Sequence, residues 1–128
     1  MTVAVPAQHE ARGAAVMRTL PNIAKEWRLS GPDMAHLLGA ADSTYRRWKA
    51  RPETARLDAN QFERASYVLG IYKALKLLLP DQTAIDHWLH TRNANPVFNG
   101  QAPIDRLKAG KMGDLFVVRQ YLDASRGW

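Results

Sequence analysis

The sequence predicts an all-α fold, with an N-terminal helix-turn-helix bundle followed by a small helical C-terminal domain. Apolar residues recur at the three- and four-residue spacing of helices along almost the whole chain. Serine and aspartate stand where helices would begin, and glycine or proline stands where they would end. No internal repeat or low-complexity tract interrupts this pattern.

The composition fits one compact domain, or two small units that share a core. The chain has 128 residues, and 46% of them are hydrophobic, which is too many for a generally disordered protein. It has no apolar run of the roughly 20 residues that cross a bilayer, no secretory signal and no cysteine. We therefore expect a cytoplasmic protein with no membrane association.

The charge is basic and unevenly distributed. Eighteen lysine and arginine residues stand against twelve acidic residues, which gives a net charge of +6. Half of this excess lies within residues 42–56, where five cationic side chains accompany two acidic ones. Such a local excess favours a polyanionic partner, usually nucleic acid.

The first helix is predicted over residues 10–29, after a flexible arm of residues 1–8. Its apolar positions recur at helical spacing: Val16, Leu20, Ile23, Ala24 and Trp27. Pro21 should kink or split this helix, because proline has no amide hydrogen to donate and crowds the preceding turn.

Two short helices joined by a tight turn are predicted next. Ser30 should cap the first helix and Gly39 should end it, while Asp42 should cap the second, over residues 43–50. Ala35, four residues before Gly39, allows the helices to approach closely, and glycine permits the positive φ of the turn. This spacing is typical of a helix-turn-helix.

The second of these helices has an aromatic inward face, formed by Tyr45 and Trp48. Its opposite face, which we call the recognition face, offers hydroxyl groups and cations: Ser43, Thr44, Arg46, Arg47 and Lys49. Such side chains can contact base edges and phosphates in a major groove, and Arg51 and Arg56 are better placed for backbone phosphates. We predict that the recognition face and Arg51 bind operator DNA. The alternative is an ordinary solvated basic face.

The longest helix is predicted over residues 58–79, where Asp58 and Gln61 are spaced for reciprocal capping. Two apolar stripes indicate burial on two sides, one of them by the C-terminal part or by a second copy of the chain. A helix-turn-helix protein generally binds two half-sites as a symmetric dimer, so a homodimer is expected. Shorter helices are predicted beyond it: one capped by Asp81, residues 103–109 and residues 111–124.

The stretch ANPVFNGQAPIDRL, residues 94–107, combines turn dipeptides with apolar side chains. Asn95-Pro96 and Asn99-Gly100 favour a loop, yet Val97 and Phe98 lie between them. These two side chains either fill the core beneath the loop or contact a partner.

Several segments together carry a family signal. They are WRLS (27–30), LLG (37–39), RWK (47–49), LGIYKAL (69–75), WL (88–89), NPVFNGQAPID (95–105), Gly110, VRQYLD (118–123) and GW (127–128). In these segments the chain resembles Xre-type antitoxins with a C-terminal MbcA/ParS toxin-binding region, the partners of RES-domain toxins. The resemblance covers nearly everything after about residue 15, and the pattern N-P-x-F-x-G-x-x-P-[IL]-D is specific in this context.

The resemblance implies a two-part antitoxin: residues 1–80 form the DNA-binding region and residues 81–128 the toxin-binding region. In this family the toxin degrades NAD, the antitoxin covers the entrance to its active site, and the two together repress their own operon. The resemblance implies that the loop residues Asn95, Val97, Phe98, Gly100 and Asp105 bind the toxin. We add Arg126 and Trp128 because such residue types often anchor interfaces, and Arg119 because the last helix could direct it towards a partner pocket. For Phe98 the alternative is burial in the core, and for Arg119 it is an ion pair with Asp123. For Trp128 the alternative is a side chain that is disordered or folded against the surface.

No catalytic motif is evident, so we expect no enzyme. His87 and His90 share a helix but lack a third metal ligand close in sequence, and we expect neither a metal nor a cofactor. Gly110-Lys111-Met112-Gly113 lacks the spacing of a phosphate-binding loop. Two other interpretations stay open: a stand-alone dimeric helix-turn-helix repressor, and a small enzyme that uses the His87/His90 region.

Overall fold

The protein is helical throughout the part of the chain that the computed structural model describes, namely the backbone of residues 4–126 and the side chains of residues 10–126. This part contains seven α-helices, two short 3-10 helices and no strand, so the predicted all-α fold is confirmed. The α-helices are α1 (Ala4–Glu26), α2 (Gly31–Leu38), α3 (Asp42–Ala50), α4 (Ala59–Leu78), α5 (Gln82–His90), α6 (Pro103–Ala109) and α7 (Met112–Ser125). The 3-10 helices are Pro52–Thr54 and Pro96–Phe98. The chain divides into two compact units between Ala65 and Ser66, inside α4.

Helix α1 is continuous although Pro21 lies in its interior, so of the two predicted effects, a kink or a split, the split is wrong. An interior proline costs about 3 kcal/mol. Met17, Leu20 and Ile23 are fully buried, and burial of each such side chain stabilises by about 1.5–3 kcal/mol, which outweighs that cost. The backbone is helical from Ala4, so the predicted flexible arm is wrong for residues 4–8, while residues 1–3 lie outside the described range.

Helix α1 also ends three residues earlier than predicted, at Glu26. Arg28 adopts a left-handed φ of 57°, and its amide donates to the carbonyl of Lys25 at 3.2 Å. The Leu29 amide donates to the carbonyl of Ala24 at 2.8 Å. This is the hydrogen-bond pattern of a Schellman ending, built on an arginine where glycine is the usual signal.

The caps of the N-terminal unit are largely those that the sequence predicts. Ser30 and Asp33 cap α2 reciprocally, with their backbone amides donating to each other's side-chain oxygens at 3.2 and 3.1 Å. Asp58 and Gln61 do the same before α4, at 2.9 and 2.7 Å. The prediction for Asp42 is wrong: Ala41 holds the capping position of α3 and Asp42 is the first helical residue. An acidic side chain in the first turn still suits the helix dipole.

The C-terminal unit begins with the second half of α4, where Val68, Ile71, Ala74 and Leu75 are buried. Asp81 caps α5 by accepting a hydrogen bond from the Ala84 amide at 2.9 Å, as predicted. Gly110 ends α6 with a φ of 71°, also as predicted. The core of this unit is apolar: it includes Ile85, Leu89, Ile104, Leu107, Leu115, Val118 and Leu122.

Candidate functional site

The turn between α2 and α3 is the predicted helix-turn-helix, and two polar side chains of α4 hold it. Gly39 has a φ of 78°, and a side chain here would also meet Arg64 at 3.1 Å. Gln61 Nε2 donates to the Gly39 carbonyl at 3.1 Å, and Arg64 Nη1 donates to the Leu37 carbonyl at 3.2 Å. Ala35 is fully buried. Sequence reasoning missed Gln61 and Arg64 in this role, because no local pattern marks a contact across more than twenty residues.

Helix α3 buries its aromatic face and exposes its cations. Tyr45 and Trp48 are 1% and 5% exposed, and burial raises the pKa of Tyr45 to about 12. On the solvent side Thr44 is half-buried, and the other members of the recognition face are exposed: Ser43, Arg46, Arg47 and Lys49. The structure therefore brings the predicted DNA-binding side chains of α3 together on its accessible side.

The arginines that follow α3 have acidic partners. Arg51 Nε lies 3.4 Å from Glu53 Oε2, and Arg56 Nη2 lies 3.5 Å from Glu10 Oε1. All four side chains are more than half exposed, so these ion pairs exchange readily with solvent and with other anions. The cationic surface beyond α3 is thus partly neutralised in the structure.

The loop before α6 rests on an aromatic cluster, which we define as Trp88, Phe98 and Tyr121. The Phe98 ring packs edge-on against Tyr121 at 5.1 Å and against Trp88 at 5.8 Å, while Trp88 and Tyr121 stack at 6.3 Å. Phe98 is 1% exposed and is the central member. Its side chain therefore lies in the core of the C-terminal unit.

The loop backbone has a defined shape. Asn95 Oδ1 accepts a hydrogen bond from the Val97 amide at 3.1 Å, and Asn99 and Gly100 both adopt left-handed φ values, 52° and 77°. Arg106 donates to the Val97 carbonyl and forms an ion pair with Asp114 at 3.0 Å. Among the other predicted toxin-binding residues nearby, Asn95 and Val97 are half-buried, and Gly100 and Asp105 are exposed.

Arg119 lies across α4 and pairs with an acidic residue of its own helix. Its Nε lies 3.1 Å from Asp123 Oδ2, the ion pair that the sequence offered as an alternative to a partner contact. Its guanidinium lies over Gly70, where an added Cβ would stand 1.7 Å from Arg119 Nη1. Position 70 must therefore lack a side chain for Arg119 to lie here. Arg126 Nη1 approaches the same carboxylate of Asp123 at 3.8 Å, and Trp128 lies outside the described residues.

An open concave surface surrounds Arg119, and we call it the α7 patch. It encloses about 500 Å³ and is lined by Tyr67, Phe116, Arg119, Gln120, Asp123 and Ala124. Phe116 is 47% exposed, and its ring meets Tyr67 edge-on at 6.1 Å. The sequence prediction missed Phe116 and Tyr67. For Phe116 a signal was available, because this aromatic residue stands outside the buried apolar stripe of α7.

The histidines of α5 have local partners. His90 Nδ1 lies 2.9 Å from the Asp86 carbonyl oxygen and 3.3 Å from its Oδ1, and His87 Nδ1 lies 3.4 Å from Thr91 Oγ1. Among the side chains that the structure describes, no group of three histidines, cysteines or acids is arranged to hold a metal ion. Within the same range no helix is long and apolar enough to cross a membrane.

Comparison with known proteins identifies both halves of the chain. Residues 6–70 match the Antitoxin Xre-like helix-turn-helix domain, and residues 74–127 match the Antitoxin Xre/MbcA/ParS C-terminal toxin-binding domain. The chain belongs to the Xre/MbcA/ParS antitoxin family. The antitoxin is also similar to the uncharacterized protein y4oB of Sinorhizobium fredii (strain NBRC 101917 / NGR234), with 39% identity over 123 residues, 95% of this chain and 92% of that protein.

The family supplies the general role of each half of the antitoxin. A helix-turn-helix region and a toxin-binding region characterise a type II antitoxin, whose partner is a toxin protein. Both matched domains are typical of a regulatory protein. The recognition face lies within the first match, and Phe116 and Arg119 lie within the second.

Proposed function

We propose that this antitoxin neutralises a RES-type, NAD-degrading toxin by covering the entrance to its active site, and that it represses its own operon by binding operator DNA. On this proposal residues 1–80 bind DNA, and residues 81–128 bind the toxin with help from Tyr67 and Gly70 of α4. The observation that carries the proposal is the α7 patch, an exposed aromatic side chain beside an oriented arginine in the toxin-binding region.

The chemistry of the α7 patch is that of a protein interface. Aromatic and arginine side chains are the most frequent energetic centres of such interfaces. Because Arg119 is already paired with Asp123 in the space that Gly70 leaves, the toxin would have to order less of that long side chain on binding, which lowers the entropic cost. Phe116 adds exposed apolar area whose burial would stabilise the complex.

The loop before α6 would contribute to toxin binding through its shape more than through apolar contact. Asn95, Gly100 and Asp105 would meet the toxin through the edge of the loop, and Val97 through its half-exposed side chain. Phe98 would act from beneath, by fixing the loop on the aromatic cluster. Arg126 would act beside Asp123. The proposed contact of Trp128 rests on its residue type alone.

The recognition face supports the DNA-binding part of the proposal. Its cations are exposed on a helix whose opposite side is firmly packed, as a helix that enters a major groove requires. A homodimer would bind two half-sites of the operator, and Leu77, 60% exposed on α4, offers apolar area for such a contact. Light scattering of the purified antitoxin would measure its mass in solution.

A stand-alone ligand-sensing repressor is the second candidate, and the structure favours it less. The apolar groove of the C-terminal unit, lined by Leu75, Trp88 and Tyr121 among others, encloses only about 190 Å³. Pockets for small-molecule effectors usually enclose about 300–1,000 Å³. The larger α7 patch is open, which suits a protein partner better than an enclosed ligand.

Co-expression with the toxin tests the proposal. We expect the intact antitoxin to restore growth and NAD levels in cells that produce the toxin, and Phe116→Ala combined with Arg119→Ala to fail. A matched control, Arg46→Ala combined with Arg47→Ala, should still restore growth, because it alters only the recognition face. Continued toxicity beside the intact antitoxin would contradict the neutralising role.

A further inference from the structure

Glu53 pairs with one arginine and lies within the electrostatic reach of a second, which belongs to another element of the N-terminal unit. Its Oε2 is 3.4 Å from Arg51 Nε, just beyond the end of α3. A hydrogen bond from its own backbone amide lowers the pKa of Glu53, and Arg51 and Arg18 lower it further. Arg18 belongs to α1, so α1 brings a cation close to the segment that follows the recognition face. Sequence reasoning assigned no role to Arg18 or Glu53.

Packing fixes α1 beside this segment. A Cβ at Gly13 would stand 3.1 Å from the carbonyl oxygen of Ala55, which shows how closely the two backbones approach. Arg56 bridges them: its Nη2 lies 3.5 Å from Glu10, and its Nη1 donates to the carbonyls of Glu53 and Ala55, both at 3.0 Å. The charge of Arg18 thus acts on Glu53 from a helix that the folded unit holds beside this segment.

Two carboxylates, those of Glu53 and Glu10, are therefore paired with the arginines that follow α3. Glu53 is bonded to Arg51, the residue that we propose contacts DNA phosphates. A carboxylate beside a phosphate-binding arginine repels the incoming phosphate and competes for the guanidinium. The Glu53 side chain is 61% exposed, so DNA can displace it without unfolding the unit.

Building on the proposed operator binding, we propose that the duplex-binding surface extends from the end of α3 onto α1 through Arg18, and that Glu53 is its counter-charge. Glu53 lowers the affinity of this surface for phosphates of any sequence. The base-contacting side chains of α3 then determine a larger share of the binding, which keeps the antitoxin from remaining on non-operator DNA. The ligand of the extended surface is duplex phosphate.

The test is a binding titration of Glu53→Gln in the full-length antitoxin. Fluorescence anisotropy would measure binding of the antitoxin to two duplexes from 0.05 to 0.3 M salt. One is the duplex upstream of the antitoxin's own gene, and the other is a shuffled duplex of equal length. One additional phosphate contact changes the slope of log affinity against log salt by about 0.9, which, referred to 1 M salt, corresponds to about eightfold in affinity at 0.1 M salt and about threefold at 0.3 M. We expect Glu53→Gln to tighten binding to both duplexes by these factors, with a steeper slope. Arg18→Ala should weaken both by a similar factor.

Two matched variants distinguish the effect of the position of Glu53 from the effect of the net charge of the protein on DNA affinity. Glu63→Gln makes the same charge change at an exposed glutamate of α4, and Lys25→Ala removes an exposed cation elsewhere on α1. Both should change affinity by less than about twofold. Equal effects of Glu53→Gln and Glu63→Gln, or no effect of Glu53→Gln, would overturn the inference.

The two proposals fail differently. If the wild type binds both duplexes equally, operator repression fails, while the comparison of variants on either duplex still decides the role of Glu53. If operator preference is clear and Glu53→Gln binds like the wild type, the counter-charge is wrong and the proposed function stands. Absence of binding to any duplex at 0.05 M salt would overturn both. Circular dichroism would verify that each variant keeps its helical content.

Discussion

Replacing Gly70 with alanine tests whether the orientation of Arg119 contributes to toxin binding. The new Cβ would stand 1.7 Å from Arg119 Nη1, 2.3 Å from Cζ and 2.9 Å from Nε, so the guanidinium has to move. All three atoms belong to the far end of a flexible side chain, which can swing away without displacing backbone. The movement separates Arg119 from Asp123, now 3.1 Å away, and removes the guanidinium from the α7 patch.

The expected change in stability is small because two contributions oppose each other. Alanine in a helix interior is favoured over glycine by about 0.8–1 kcal/mol. The ion pair between Arg119 and Asp123 is one-third exposed on both sides, and its loss costs up to about 1 kcal/mol. The free energy of unfolding should therefore change by less than about 1 kcal/mol. Loss of an oriented arginine from an interface costs about 2 kcal/mol, or roughly thirtyfold in toxin affinity.

Urea unfolding followed by circular dichroism would measure the first quantity, and calorimetric titration of the toxin the second. Gly113→Ala is the matched control: it lies in α7, its new Cβ meets nothing within 4 Å, and it should leave toxin affinity unchanged. The reasoning is refuted if Gly70→Ala loses more than about 3 kcal/mol of stability. It is refuted equally if the variant binds toxin as tightly as the wild type.

Three further variants test other parts of the account. Arg46→Ala combined with Arg47→Ala should weaken operator binding at least tenfold. It should also reduce the slope of log affinity against log salt by the equivalent of about two phosphate contacts, with unchanged circular dichroism. An unchanged anisotropy titration would refute the assignment of the recognition face to DNA binding. The pKa of Tyr45 is raised to about 12 in the folded protein, whereas it is about 10 in the unfolded chain. Between pH 10 and 12 only the unfolded state loses the proton, so the free energy of unfolding should fall by up to about 2.7 kcal/mol. Urea midpoints at pH 9 and 11.5 should show a smaller loss in Tyr45→Phe, and an equal loss would contradict the assignment. Phe98→Ala should destabilise by about 3–5 kcal/mol in urea unfolding, and a cost below 1 kcal/mol would contradict its central place in the aromatic cluster.

Local signals predicted the helices well. The cap by Ser30 and the reciprocal cap of Asp58 with Gln61 are formed between residues three apart, so the sequence alone predicts them. The return hydrogen bond from the Ser30 amide to Asp33 was not predicted. The failures have equally local causes. Ala41 has no polar side-chain atom to signal a cap, and Arg28 adopts a conformation that is usually marked by glycine.

The long-range features could not be predicted in the same way. Gly70 and Arg119 are 49 positions apart in the sequence, and only their packing reveals why a glycine stands inside a long helix. Pro21 misled the prediction for α1 because a propensity rule omits the burial on either side of it. For Phe98 the sequence left two positions possible, the core and the toxin interface. The ring contacts with Trp88 and Tyr121 account for its burial.

The central claim is that the two halves of the antitoxin act on different partners, DNA and toxin. Titrating the full-length antitoxin into a purified RES-type toxin while following NAD breakdown tests this claim most directly. We predict that breakdown stops near stoichiometric antitoxin, that Arg46→Ala with Arg47→Ala inhibits as well as the wild type, and that Phe116→Ala with Arg119→Ala does not inhibit. Undiminished NAD breakdown at saturating wild-type antitoxin would contradict the account.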